Sequence, residues 1–149
     1  MLRMSKLTDY GTLVLSQLAA TGAAPAGLVA AETRIALPTV SKLLKALTRS
    51  GLVVSTRGAH GGYALARAPE SITAAEIIDA LEGPVAITEC SADNGACELE
   101  AYCRVGRAWQ RINLSIREAL DHVTLADLQR KPLPMPVPDL VTHLRAAAN

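Results

Sequence analysis

Phenylalanine is absent from the 149 residues, and aromatic side chains of every kind make up only 3%. A core built under that restriction comes from Ala, Leu, Val and Ile, which suits closely packed helices. Apolar residues still reach 50% of the chain. That is enough for one compact domain, or a small domain with an appended dimerisation element. No stretch approaches about 18 apolar residues uninterrupted by charge, so no segment is expected to span a membrane. The opening Met1-Leu2-Arg3-Met4-Ser5-Lys6 lacks the apolar run and small-residue cleavage site of a secreted chain. A soluble cytoplasmic protein is expected, in a reducing compartment where free thiolates persist. Also missing are a nucleophile–base constellation and paired acids in a glycine-framed pocket, which argues against an enzyme and a small-molecule substrate.

Acids are scarce in the first half. Residues 1–70 carry eight Lys/Arg against only Asp9, Glu32 and Glu70, a balance of +5, whereas residues 71–149 carry −4. A basic first half joined to an acidic second half points to a polyanion partner for the first half alone. A solvated charged surface would show the same balance, so the pattern needs a fold to support it.

Cysteines are few but gathered. Cys90, Cys97 and Cys103 fall within fourteen residues in the pattern C-x6-C-x5-C. An odd number cannot all pair as disulfides within one chain. Three thiolates in a polar, Gly-containing stretch make a metal or iron–sulfur site that takes a fourth ligand from elsewhere. Ordinary free cysteines, or one loop disulfide with a spare thiol, would also fit the spacing.

The chain reads as mainly α with one small β-hairpin. Leu7 to Ala20 is helical, with Leu7, Tyr10, Val14 and Leu18 on one face and Thr8 or Ser5 as the cap. A short helix spans about Gly27 to Thr33. Another runs Thr39 to Ser50, opened by Pro38 and closed by Gly51, with Val40, Leu43, Leu44 and Leu47 apolar. Leu52 to Arg57 and Tyr63 to Ala66 are strands around a glycine-rich turn. Thr73 and Glu76 form a capping box for a helix to about Leu81. This order is that of a winged helix-turn-helix. The helix from Thr39 is then the one for the major groove, with Thr39, Ser41 and Lys42 at bases or phosphates and Lys45 and Arg49 along the backbone. Arg57 and His60 belong to the wing, where Arg57 could enter a minor groove.

Beyond the cysteines, one amphipathic helix is expected over roughly Glu98 to Val123. Val105, Trp109, Ile112, Ile116, Ala119 and Val123 recur at a heptad-like spacing. A dimer interface explains that seam, and packing onto the chain's own core is the competing explanation. A short helix (Thr124 to Arg130) and a proline-alternating tail follow, with a possible terminal helix over Asp139 to Ala147. The organisation is thus 1–83 winged helix-turn-helix, 84–103 cysteine segment, 104–130 dimerisation helix region and 131–149 Pro-rich tail.

Lys6-Leu7-Thr8-Asp9-Tyr10-Gly11 resembles the start of the IscR/NsrR family of bacterial winged-helix iron–sulfur transcription regulators. So do Ser50-Gly51-Leu52-Val53 leading into Arg57-Gly58, Gly61-Gly62-Tyr63 with Leu65-Ala66, Ile72-Thr73 with Glu76-Ile77-Ile78, and the three cysteines. The resemblance covers about residues 2–128. It implies a homodimeric repressor on a double-stranded DNA operator, whose affinity responds to a 2Fe-2S or 4Fe-4S cluster on Cys90, Cys97 and Cys103. The first cysteine gap holds six residues where the family usually has five. Gly106 stands where the assembly-regulator branch has a histidine ligand. The nitric-oxide-sensing branch is similar at Thr8-Asp9, which implies Asp9 of the partner subunit as fourth ligand. A helix-start carboxylate answering the macrodipole is the plainer reading of Asp9, and Glu89, Asp93 and Glu98 are local alternatives. Of the other histidines, His122 reads as a surface residue and His143 as part of the tail. Control of iron–sulfur assembly genes is the leading expectation, since the opening resembles regulators of the sulfur-mobilisation (SUF) assembly operon. Nitric-oxide sensing and a zinc-stabilised DNA-binding module are the alternatives.

Overall fold

Ser5 starts the first helix by accepting a hydrogen bond from the Leu7 N–H, and Gly22, at φ 73°, ends it. The protein is described by a computed structural model over residues 4–58, 61–88 and 105–130. Among them are helices α1 (Lys6–Thr21), α2 (Ala26–Thr33) and α3 (Leu37–Arg49), strands β1 (Val53–Thr56) and β2 (Gly62–Leu65), then α4 (Ala74–Glu82), α5 (Gly106–Asp121) and α6 (Leu125–Gln129). A single 3-10 turn, Pro69–Ser71, precedes α4. Cys90, Cys97, Cys103, Glu89, Asp93, Glu98, His60, His143 and everything from Lys131 onward lie outside the described residues, and with them the expected cysteine site and extended tail.

Helices α1 to α3 meet over a core of Val14, Leu15, Leu18, Val29, Val40, Leu43, Leu44 and Leu47, each at most 2% exposed. The stripe on α1 is rotated from the expected one. Thr8, Gly11, Val14, Leu15 and Leu18 are buried, while Leu7 and Tyr10 pack at the core's margin. Gly11 is inside because the Leu81 side chain occupies the space a β-carbon would need.

Strands β1 and β2 pair antiparallel in the register Val53↔Leu65, Val54↔Ala64, Ser55↔Tyr63 and Thr56↔Gly62. Only Val53 of β1 is buried, while Tyr63 and Leu65 of β2 pack against the core. The hairpin's outer edge is closed by Ala24: the Ala24 N–H donates to the Tyr63 carbonyl at 2.9 Å, and the Tyr63 N–H donates to Ala24 at 2.8 Å. Gly62 permits that approach, since a β-carbon there would lie 2.7 Å from the Ala24 carbonyl.

The expected capping box of α4 is present, Thr73 accepting from Glu76 N–H at 3.2 Å and Glu76 from Thr73 N–H at 3.0 Å. After α5 the chain returns to the core, which differs from a core closed by the N-terminal helices alone. The Ala74 N–H donates to the Val123 carbonyl and the Leu125 N–H to the Ile72 carbonyl, both at 2.8 Å. Leu125 itself is fully buried. A second capping box, Thr124 with Asp127, holds α6 in that position. No helix among the described residues is long and apolar enough to cross a membrane.

Candidate DNA-reading face and sensor site

Helix α3 divides cleanly. Its buried face is Val40, Leu43, Leu44 and Leu47, and Lys42, Lys45 and Arg49 are exposed one helical turn apart on the other side. Thr39 and Ser41 are half-buried at the flanks of that basic face. Ala36 opens the helix with no side-chain cap, so its amino end is left to backbone groups. Arg57 is exposed just past β1, and Gly58 turns the chain there with φ 116°. The predicted reading residues of α3 and Arg57 are thus on the surface, while Arg67 is engaged within the chain. It pairs with Glu76 at 2.8 Å and donates to the Ser71 carbonyl at 3.0 Å, tying the wing's return strand to α4.

Asp9 is exposed in the first turn of α1. It borders an apolar cavity of about 480 Å³, whose other walls include Met4, Leu13, Ile78, Leu120, Val123 and Leu128. Its neighbour Thr8 is buried and donates to the Glu82 carboxylate, which also accepts from the Ser5 N–H at 2.9 Å. Glu82 is the last residue of α4, so the root of the cysteine segment is fastened to the turn that carries Asp9. Sequence reasoning missed this link, because residues 77 apart that meet through a main-chain N–H leave no local pattern.

The Thr8 hydroxyl, and then the Ser5 N–H, hold the Glu82 carboxyl below its usual range. A depressed folded value means the contact stabilises fully above the ordinary glutamate pKa, about 4.3, and is lost as pH falls through the lower folded value. Unfolding free energy of the parent is therefore expected to drop more steeply below about pH 4.5 than that of Glu82→Gln. Urea titrations over that acid range check it, and parallel curves would show that the contact adds nothing.

Helix α5 is held by its polar side. The Asn113 side chain accepts from the Ile87 N–H at 3.2 Å and donates to the Val85 carbonyl at 3.1 Å. Arg117 grips Asp79 with both terminal nitrogens, at 3.1 and 2.7 Å. Gly106, Asn113 and Arg117 thus face the protein, and the apolar stripe faces away. Trp109 is 39% and Ile112 44% exposed, with Ala119 exposed and Ile116 half-buried beside them. Two expected members of the stripe are off the helix. Val105 only precedes its first turn, and Val123 lies beyond the His122 C-cap, with its carbonyl committed to Ala74. The described helix runs from Gly106, and residues 98–104, which were expected to belong to it, lie outside the described residues.

Among the described residues no group of three potential metal ligands is found. Residues 4–131 match the Rrf2 family model, described as an iron-dependent transcriptional regulator. The chain is 33% identical over 132 residues to the protein rrf2 of Nitratidesulfovibrio vulgaris, covering 87% of this chain and 88% of that one. It is 35% identical over 130 residues to the transcriptional regulator CymR of Bacillus subtilis, covering 85% and 89%. The solved structure of CymR, the global cysteine regulator of that organism, superposes with a TM-score of 0.65 at 34% identity, over 86% of this chain and 96% of that one. T. potens IscR superposes with a TM-score of 0.62 at 30% identity, over 90% and 96%. These relatives are regulators built on the same helices and wing, and none is an enzyme. The chain belongs to the Rrf2 family of winged-helix, DNA-binding transcriptional regulators.

Proposed function

We propose that this regulator is a cytoplasmic homodimeric repressor whose grip on its operator is set by an iron–sulfur cluster on Cys90, Cys97 and Cys103, and that it controls iron–sulfur assembly genes. The observation that carries this reading is the C-x6-C-x5-C cluster of thiols in a chain whose family model is described as iron-dependent. Thiolates are the donors that iron–sulfur clusters take. When bound, such a cluster supplies a group that oxidants, nitric oxide or iron scarcity can remove. Asp9 of the partner subunit is the fourth ligand in this reading, a hard oxygen among soft sulfurs and hence the weakest corner. Its exposure on a cavity wall supports a role toward a group outside its own helix.

Residues of the chain would transmit the change. Thr8 and Glu82 join the Asp9 turn to the end of α4, and α1 packs on α3 through the core. A movement passed to the end of α4 would therefore reach the reading helix through packed elements. Dimerisation in this reading uses the outward stripe of Trp109, Ile112, Ile116 and Ala119, with Val105 and Val123 at its two ends. Exposed apolar side chains in a row on one helix face are the kind of surface a second copy covers.

Colour and content test the cluster. Anaerobically prepared protein should be brown and carry both iron and acid-labile sulfide; a colourless protein containing only zinc would replace this reading with a zinc-stabilised module.

Thr39, Ser41 and Lys42 are the proposed readers of bases and phosphates, with Lys45, Arg49 and the wing residues Arg57 and His60 beside them. Arg57→Ala should weaken operator binding by about 1–3 kcal/mol if the guanidinium enters a groove. Lys45→Ala should weaken all sequences about evenly. Footprint titrations on the chain's own upstream region measure both, and parent-like binding by Arg57→Ala would remove the wing from the interface.

A further inference from the structure

We infer that Arg34 is a phosphate-binding residue of the DNA-reading face. Among the described residues it is the one non-glycine residue with positive φ, at φ 57° and ψ 26°. It lies in the three-residue turn between α2 and α3, a place where helix-turn-helix units often carry glycine. The reason for glycine is steric, because a left-handed backbone presses Cβ against the following carbonyl oxygen. A bulky residue persists in that conformation only when something else compensates.

Among the described residues no side-chain contact of Arg34 does so. The Arg34 side chain is exposed, and among the described residues its guanidinium has no hydrogen-bond or ion-pair partner, Glu32 on the preceding turn included. Arg67 and Arg117 show the contrast, since each is paired with a carboxylate. Arg34 is a cation fixed on a tight turn three positions ahead of α3, and its own fold leaves it unused. When α3 lies in the major groove, its amino end points inward and the preceding turn comes over the sugar–phosphate backbone. A planar, five-donor guanidinium at that place suits a phosphate oxygen pair. This inference rests on the DNA-reading assignment of α3 and adds a contact that the charge pattern of α3 does not contain.

Arg34→Gly separates the two roles, because it removes the charge and relieves the backbone together. The full chain is titrated onto a fluorescent duplex of roughly 30 bp and arbitrary sequence, so that phosphate contacts dominate. Relative to the parent, Arg34→Gly should bind about tenfold more weakly near 50 mM salt, with a slope of log K against log salt smaller by about 0.9. Its Tm should equal or exceed the parent's. Arg34→Lys should keep the parent's slope. An Arg34→Gly protein with the parent's affinity and slope overturns the inference, and so does one that loses Tm along with affinity, which would mark Arg34 as structural. A parent that binds no duplex overturns the DNA-reading assignment itself and this inference with it.

Discussion

Cys97→Ala is expected to give a folded, colourless protein. Cys97 is the middle thiol of C-x6-C-x5-C, and without it the proposed site keeps two thiolates and one carboxylate. Iron–sulfur clusters are held by soft sulfur donors, and a lone hard oxygen does not make up for a lost thiolate. Iron and acid-labile sulfide should fall to background, and the visible absorption should vanish. The core should be unaffected, since its buried members among the described residues lie at positions 14–77 and at Leu125, none of them within 84–103. Far-UV circular dichroism matching the parent would confirm that the loss is local. A Cys97→Ala protein with the parent's spectrum would show that this thiol holds no cluster.

The largest stability effect away from the reading helix is expected at Leu125. Its side chain is fully buried in the core, where α6 meets α1 and the 3-10 turn before α4, and its N–H donates to the Ile72 carbonyl at 2.8 Å. Leu125→Ala removes three carbons from a packed site and should cost about 2–5 kcal/mol. For a chain of this size that is roughly 10 °C in Tm. Leu128, one turn on, is 46% exposed; Leu128→Ala should cost under about 1 kcal/mol. Thermal unfolding of both variants at one protein concentration makes the comparison. Equal, small losses would mean that α6 does not anchor the chain to the winged-helix core.

Local chemistry made the reading half legible. Pro38 and Gly51 bound α3 in the sequence and bound it in the structure to within two residues, because proline and glycine act on their own backbone. The Thr73–Glu76 box was readable for the same reason: both partners lie in one turn. Leu125 was harder, since a single leucine in a five-residue helix has no periodicity to show that it is buried; the Thr124-to-Asp127 capping signature was the only signal. Helix α5 has a clear apolar stripe, but which face meets the protein is decided by Asn113 and Arg117. Their partners Val85, Ile87 and Asp79 are 26 to 38 residues away. Arg34 gave no hint of its left-handed backbone, because arginine is not among the residues that mark turns in a sequence. The spacing of the cysteines suggests what they bind, and their geometry lies outside the described residues.

The central claim is that cluster status sets DNA affinity, and one anaerobic binding isotherm tests it most directly. Fluorescent duplex from the chain's own upstream region is titrated with cluster-loaded protein, and then with the same preparation stripped of iron, at one fixed salt concentration. The account predicts brown protein and two curves displaced by about tenfold or more, a coupling of at least about 1.4 kcal/mol. Superimposed curves from a loaded and a stripped sample would contradict it.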